Sequence, residues 1–228
     1  MDSTDLSGSD PNSGASSSNW SGRLAGGTYF TSVAGTVTQP GYTLYNCGDA
    51  NNTAHSTWVG LGGWNSSSLI QNGIDTFTGR SAPYSFWQTL PDTSTEQYGG
   101  VSGLKGDRLH FTTTWNGSPV NNATFSWLNV DTGNSLSITA GSARDFDPRH
   151  ADWIDERTSG CNAVDGPFCL FQRSDNQVNW GGERVNGSNP ANSTGSVLIA
   201  IKRPNGTQLG YATNVNDTAS VAYWSRCS

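Results

Sequence analysis

Lysine is almost missing from this chain, occurring only as Lys105 and Lys202. Arg raises the cations to 12, against 18 Asp and Glu, for a net charge of −6. Neutralising a phosphate backbone takes clustered Lys and Arg, so nucleic acid is excluded as a partner. Charged residues of both signs make up 13% of the chain, about half the usual share. No run of roughly 18 apolar residues occurs, so no helix can span a membrane. No stretch keeps a helical period for three turns, which argues against an α or α/β fold. H-E-x-x-H is absent, the cysteines make no C-x-x-C, and His55, His110 and His150 share no ligand spacing. Together these leave no metal site. No G-x-S-x-G marks a serine hydrolase elbow. The first residues lack a basic segment followed by an apolar one. The expectation is therefore a mature chain with an added Met, its leader removed.

What is present is aromatic and small-polar. Hydrophobic residues reach only 33%, but 11% are aromatic, with 9 Trp, and such rings fill a core despite few aliphatics. The surface is left to Ser, Thr, Asn and Gly. Four cysteines, Cys47, Cys161, Cys169 and Cys227, suit two disulfides in an oxidising compartment and hence a secreted, extracellular protein. Residues 1–18 are polar and Gly/Ser-rich and read as a flexible tail. Residues 19–228 show no internal boundary and read as one domain. Short alternating runs recur, among them Tyr29–Thr38, Pro83–Leu90, Asp107–Trp115, Ala123–Val130, Ser135–Ala140, Gln177–Trp180, Ser196–Lys202, Gln208–Asn214 and Thr218–Ser225. Turn signals such as Asn116-Gly117 and Pro204-Asn205-Gly206 separate them. The fold class expected is all-β, a β-sandwich of two large antiparallel sheets of the concanavalin-like jelly-roll type.

One stretch carries chemistry. Ser56–Asp75 reads as two strands joined by a Gly/Asn/Ser turn. In the second strand Ile70, Asn72 and Ile74 share the core face, while Leu69, Gln71, Gly73 and Asp75 share the other. That second face sets an amide and a carboxylate beside a glycine, an arrangement suited to a ligand, although a merely solvated face looks the same. Three further segments change its weight: Asn19-Trp20-Ser21-Gly22, Trp58-Val59-Gly60-Leu61 and Ala151-Asp152-Trp153-Ile154-Asp155-Glu156. With Leu69-Ile70-Gln71-Asn72-Gly73-Ile74-Asp75, they follow in the order and spacing of the glutamic endopeptidases, the eqolisins, which the chain resembles over roughly residues 17 to 185.

The resemblance implies a secreted acid endopeptidase that acts on polypeptides as a monomer, with no cofactor. It implies Glu156 as general base and then acid, and Gln71 as water-holding and oxyanion-stabilising amide. It further implies that Trp20 and Trp58 line a substrate groove and that Asp75 sits near the dyad. Asp152 stands where the family has a non-catalytic Glu. A Cys161–Cys169 disulfide loop is also implied, and with it a Cys47–Cys227 pair. The chemistry is coherent in acid. A carboxylate of pKa about 4 serves as a base there, and a glutamine amide donates at any pH. The departures are Gly62 in place of an acidic residue, Thr89 or Gln88 in place of a groove glutamate, and Ser85 in place of an aspartate. Fewer carboxylates near the dyad predict a less extreme acid optimum than the family's. The rival reading is a carbohydrate- or peptide-binding β-sandwich, Trp-rich and non-catalytic; a glycosidase built on the acidic cluster Asp145, Asp147, Asp152, Asp155 and Glu156 fares worse, since no acid pair two apart on one strand face supplies the two carboxyls it needs.

Overall fold

The structure is a computed structural model that describes residues 14–27, 29–40, 54–77, 83–93, 97–118, 120–141, 146–163, 166–168, 177–193 and 195–224. The strands are β1 (Ala15–Ser17), β2 (Trp20–Gly26), β3 (Ser32–Thr38), β4 (Ala54–Gly62), β5 (Leu69–Phe77) and β6 (Tyr84–Leu90). Then come β7 (Gln97–Gly99), β8 (Arg108–Trp115), β9 (Ala123–Asn129), β10 (Ser135–Ala140), β11 (His150–Arg157) and β12 (Ser159–Ala163). The chain ends with β13 (Gly166–Phe168), β14 (Gln177–Val185), β15 (Val197–Lys202), β16 (Gln208–Asn216) and β17 (Ala219–Trp224). One short 3-10 helix, Pro190–Asn192, precedes β15.

The all-β expectation holds. Hydrogen bonding runs through a 15-stranded sheet in the order β10-β9-β8-β3-β14-β17-β16-β15-β2-β11-β4-β5-β6-β7. β1 adds to β15 in parallel, so Ala15–Ser17 is a paired strand inside the stretch read as a tail. The runs singled out in the sequence fall on β3 to β6, β8 to β10 and β14 to β17, and the Ala151–Glu156 segment falls on β11. Those not singled out are β1, β2, β7, β12 and β13. β2 reads W-S-G-R-L-A-G, and its Gly and Arg hide the β signal. The disulfide expectation for Cys47, Cys161, Cys169 and Cys227 falls outside the described side chains.

The ends of the sheet path lie face to face. The Trp127 indole donates to Gly73 O at 3.1 Å, and that of Trp153 donates to Ala34 O at 2.7 Å. Trp87 stacks on Phe125 with centroids 5.3 Å apart. Buried Val33, Val59, Ile70, Ile74, Phe111, Phe125, Trp127 and Trp153 fill the space between. Each large apolar side chain so buried stabilises the fold by about 1.5–3 kcal/mol. Asn72 belongs to this face because its amide ties the layers: it donates to Ser126 O at 2.9 Å and accepts from Thr113 Oγ1 at 2.6 Å. β8 and β9 alternate buried and half-exposed residues, as strands with one wet face do. Nearly every residue of β4, β5 and β11 is buried. The reason is a second apolar cluster on their opposite face, containing Trp20, Leu24, Trp58, Trp64, Leu69, Phe86 and Ile154.

Candidate active site

The antiparallel register of β2, β11, β4, β5 and β6 places the predicted residues in three rows on that second face. The first row is Leu24, Asp152, Gly60, Gln71 and Gln88. The second is Gly22, Ile154, Trp58, Gly73 and Phe86. The third is Trp20, Glu156, Ser56, Asp75 and Tyr84. Gln71, Asp75, Glu156, Trp20 and Trp58 therefore share one face, as the strand parity required.

Gln71 and Glu156 stand two strands apart and four residues along. On a flat sheet that puts their Cα atoms about 16 Å apart. At that spacing the two side chains flank whatever lies between them. Glu156 is half-buried. Its Oε1 accepts from Asn19 Nδ2 and its Oε2 from Trp58 Nε1, each at 2.7 Å. Gln71, 5% exposed, donates from Nε2 to Gln88 Oε1 at 2.8 Å. That contact fixes the amide's orientation and leaves its second N–H to be given elsewhere. Asp75 is buried and accepts a short hydrogen bond from Ser56 Oγ. The rows thus set Ser56 between the two carboxylates of Asp75 and Glu156.

Trp20 and Trp58 are edge to face at 4.9 Å, with Trp64 6.2 Å from Trp20. All three are buried, at 6%, 0% and 5% exposure. A carbohydrate module offers its tryptophans outward, and these are packed inward. The six-membered ring of Trp58 lies over Gly60, where an added Cβ would come within 2.8 Å of it. Gly62 explains the missing acid. It sits at φ 83°, and an added Cβ would meet Ser68 O at 2.5 Å, so any side chain is strained there.

Two features went unassigned in the sequence. Asn19 stood inside a quoted motif without a role, and only the fold brings it to a residue 137 positions away. Asp152 is fully buried, and neither carboxylate oxygen has a hydrogen-bond partner among the described residues. Burial lifts its carboxyl well above the ordinary value of 3.8, because desolvation penalises the charged form. Among the described residues no three His, Cys, Asp or Glu side chains group as a metal site. A shallow depression of about 400 Å³ opens on β8–β10, lined by His110, Ser126, Leu128, Ser135 and Ser137 among others. No carboxylate lines it, so the acid–amide chemistry belongs to the Gln71 face.

The sequence profile of the peptidase A4 family matches residues 18–223. No curated protein sequence is similar enough to count as a match. Among solved structures, scytalido-glutamic peptidase with a peptide-based transition-state analogue aligns at TM-score 0.71 and 18% identity, over 91% of this chain and 98% of that one. SCP-B, an eqolisin in complex with the tripeptide Ala-Ile-His, aligns at 0.69 and 18%, over 91% and 98%. Aspergilloglutamic peptidase from Aspergillus niger aligns at 0.57 and 18%, over 76% and 99%. Identities this low speak for the fold alone, whereas the profile spans most of the chain and carries the family. The chain belongs to the peptidase A4 family, the eqolisin glutamic peptidases.

Proposed function

We propose that this protein is a secreted acid endopeptidase working on a folded β-sandwich through Gln71 and Glu156. The observation that supports it most is the placing of both side chains on one face. There the Glu156 carboxylate is held by two donors, and the Gln71 amide is oriented by Gln88. The scissile carbonyl and a water lie between them. Glu156 takes a proton from the water while its oxygen attacks the carbonyl carbon. The carbonyl electron pair moves onto oxygen, and the free Gln71 N–H stabilises that oxyanion. The tetrahedral intermediate collapses, the C–N bond breaks, and the amine leaves with the proton that Glu156 took. The balance is peptide plus water to acid plus amine, with Glu156 regenerated. One such oxyanion donor contributes on the order of 10²–10³ in rate.

The test is cleavage of denatured protein across pH 2 to 7, with pepstatin present to silence aspartic peptidases. Glu156→Gln is expected to abolish cleavage. Gln71→Ala is expected to lower kcat by about 10²–10³, with melting temperature retained in both. The optimum is expected above pH 3, since acids near the dyad are few; a maximum below about pH 3 contradicts that part. Full activity in either variant removes the residue from the mechanism. A well-folded wild type with no activity supports the binding-protein reading instead.

A further inference from the structure

The aromatics of the site face divide into two groups. Trp20, Trp58, Trp64 and Phe86 are all below a tenth exposed. Beyond Asp75 the character changes. Phe77 closes β5, Tyr84 opens β6, and Tyr98 stands on β7 opposite Phe86. Parity puts all three on the same face as Gln71 and Glu156. Phe77 and Tyr84 are half-buried and Tyr98 is 55% exposed. Their rings form a chain, with centroids 6.4 Å apart from Phe77 to Tyr84 and 5.8 Å from Tyr84 to Tyr98, tilted and edge to face. This is the geometry in which aromatic rings take up a further ring.

We infer that Phe77, Tyr84 and Tyr98 form a substrate subsite that accepts an aromatic side chain of the polypeptide, away from the bond that is cut. The inference rests on reading Gln71 and Glu156 as the reaction centre. Tyr84 lies in the third row, three strands from Glu156, which is about 14 Å on an ideal sheet. An extended peptide covers that in about four residues. A chain lying across the strands from the dyad past Asp75 thus brings its fourth side chain, give or take one, onto the shelf. Binding energy gathered so far from the reacting atoms favours long substrates over short ones.

The experiment uses quenched fluorescent peptides of equal length with a single Phe scanned through positions three to five from the cleaved bond, on either side, against the all-Ala parent. The wild type is expected to cleave one position about tenfold better in kcat/KM than the parent. Tyr98→Ala and Tyr84→Ala are expected to bring that ratio close to one. Val215→Ala, an exposed residue on β16, six strands from β6 along the sheet, is the control and keeps the ratio. Binding of the same peptides to Glu156→Gln, followed by fluorescence titration, gives a second readout that needs no turnover. The same position is expected to bind tighter there, and Tyr98→Ala to remove the difference. No preferred position in the wild type, or a preference that both tyrosine variants keep, overturns the subsite. If Glu156→Gln still cleaves, the assignment of the reaction centre fails instead, and the titration alone decides the shelf.

Discussion

Glu156 is held by an indole on one oxygen and an amide on the other. A hydrogen bond to a charged group contributes about 1.5–3 kcal/mol, so each donor matters to where the carboxylate points. Asn19→Ala is expected to lower kcat by about tenfold or more, since about 1.4 kcal/mol is tenfold in rate. Asn19→Asp is expected to cost more, because an acceptor then faces an acceptor. Steady-state kinetics beside a thermal melt separates this from a folding defect; equal kcat in the two variants would remove Asn19 as a positioning residue. At this scale much was legible. Alternation along β5 told which side chains of Ser68 to Asp75 faced the core, and Ile70, Asn72 and Ile74 are there. The Asn19 contact was not legible, because nothing local in N-W-S-G says which strand it will meet.

At the scale of the strand, backbone closeness and a buried acid set the limits. An added Cβ at Gly73 would sit 2.2 Å from Thr57 O, a backbone atom that cannot turn aside. At Gly60 the clash is with the movable ring of Trp58 and with Leu69. Gly60→Ala is therefore expected to cost about 1–3 kcal/mol, as overpacking does. Gly73→Ala is expected to cost more and to leave little folded protein. Denaturant melts rank them, and the reverse order would refute the argument. Asp152 gives a pH dependence with a definite sign. Its carboxyl is raised by burial. Below its ordinary value it is neutral in both folded and unfolded chains and costs nothing. As pH rises past that value, the unfolded chain ionises while the native one stays neutral, so stability falls until the raised native value is reached. Asp152→Asn is expected to flatten this decline above about pH 4, seen as a melting temperature less dependent on pH. An unchanged slope would show that Asp152 is not its source. If Ala151–Glu156 is a strand, alternation puts Asp152, Ile154 and Glu156 on one face, but the register of β11 against β4 was not readable, because the segments are distant in sequence and no turn fixes them.

Across the whole molecule, β2 is tied to strands far along the chain by Arg23. It is 2% exposed; its Nη1 meets Glu183 at 2.5 Å and also donates to Asp217 O, while Nε and Nη2 donate to Asn214 Oδ1 and Nη2 to Asn216 O and Ala219 O as well. Glu183 is fully buried and also accepts from Ser220 Oγ. Burial raises the Glu183 carboxyl, with Arg23 opposing. Its linkage therefore has the sign worked out for Asp152, and some loss of stability with rising pH should remain in Asp152→Asn. Removing one partner leaves the other charge buried and unpaired, which costs about 3–5 kcal/mol. Arg23→Met is expected to lose that much in chemical denaturation and to lose activity only through folding, since Arg23 faces away from Gln71. A loss below about 1 kcal/mol, the worth of an exposed pair, would show that the pair is dispensable.

The sequence by itself determined the all-β class, most strands, the face on which Gln71 lies and, through four ordered motifs, the family. These are local or pattern properties: alternation has a period of two, and turns announce themselves in Gly, Asn and Pro. Tertiary structure decided what the motifs do to one another. It set Glu156 against Asn19 and Trp58, turned the tryptophans inward, left Asp152 buried without a hydrogen-bond partner among the described residues, made Ala15–Ser17 a strand and lined up Phe77, Tyr84 and Tyr98. Each of these depends on pairing between segments far apart in sequence, where register is chosen by the burial of whole faces at once rather than by any residue's neighbours.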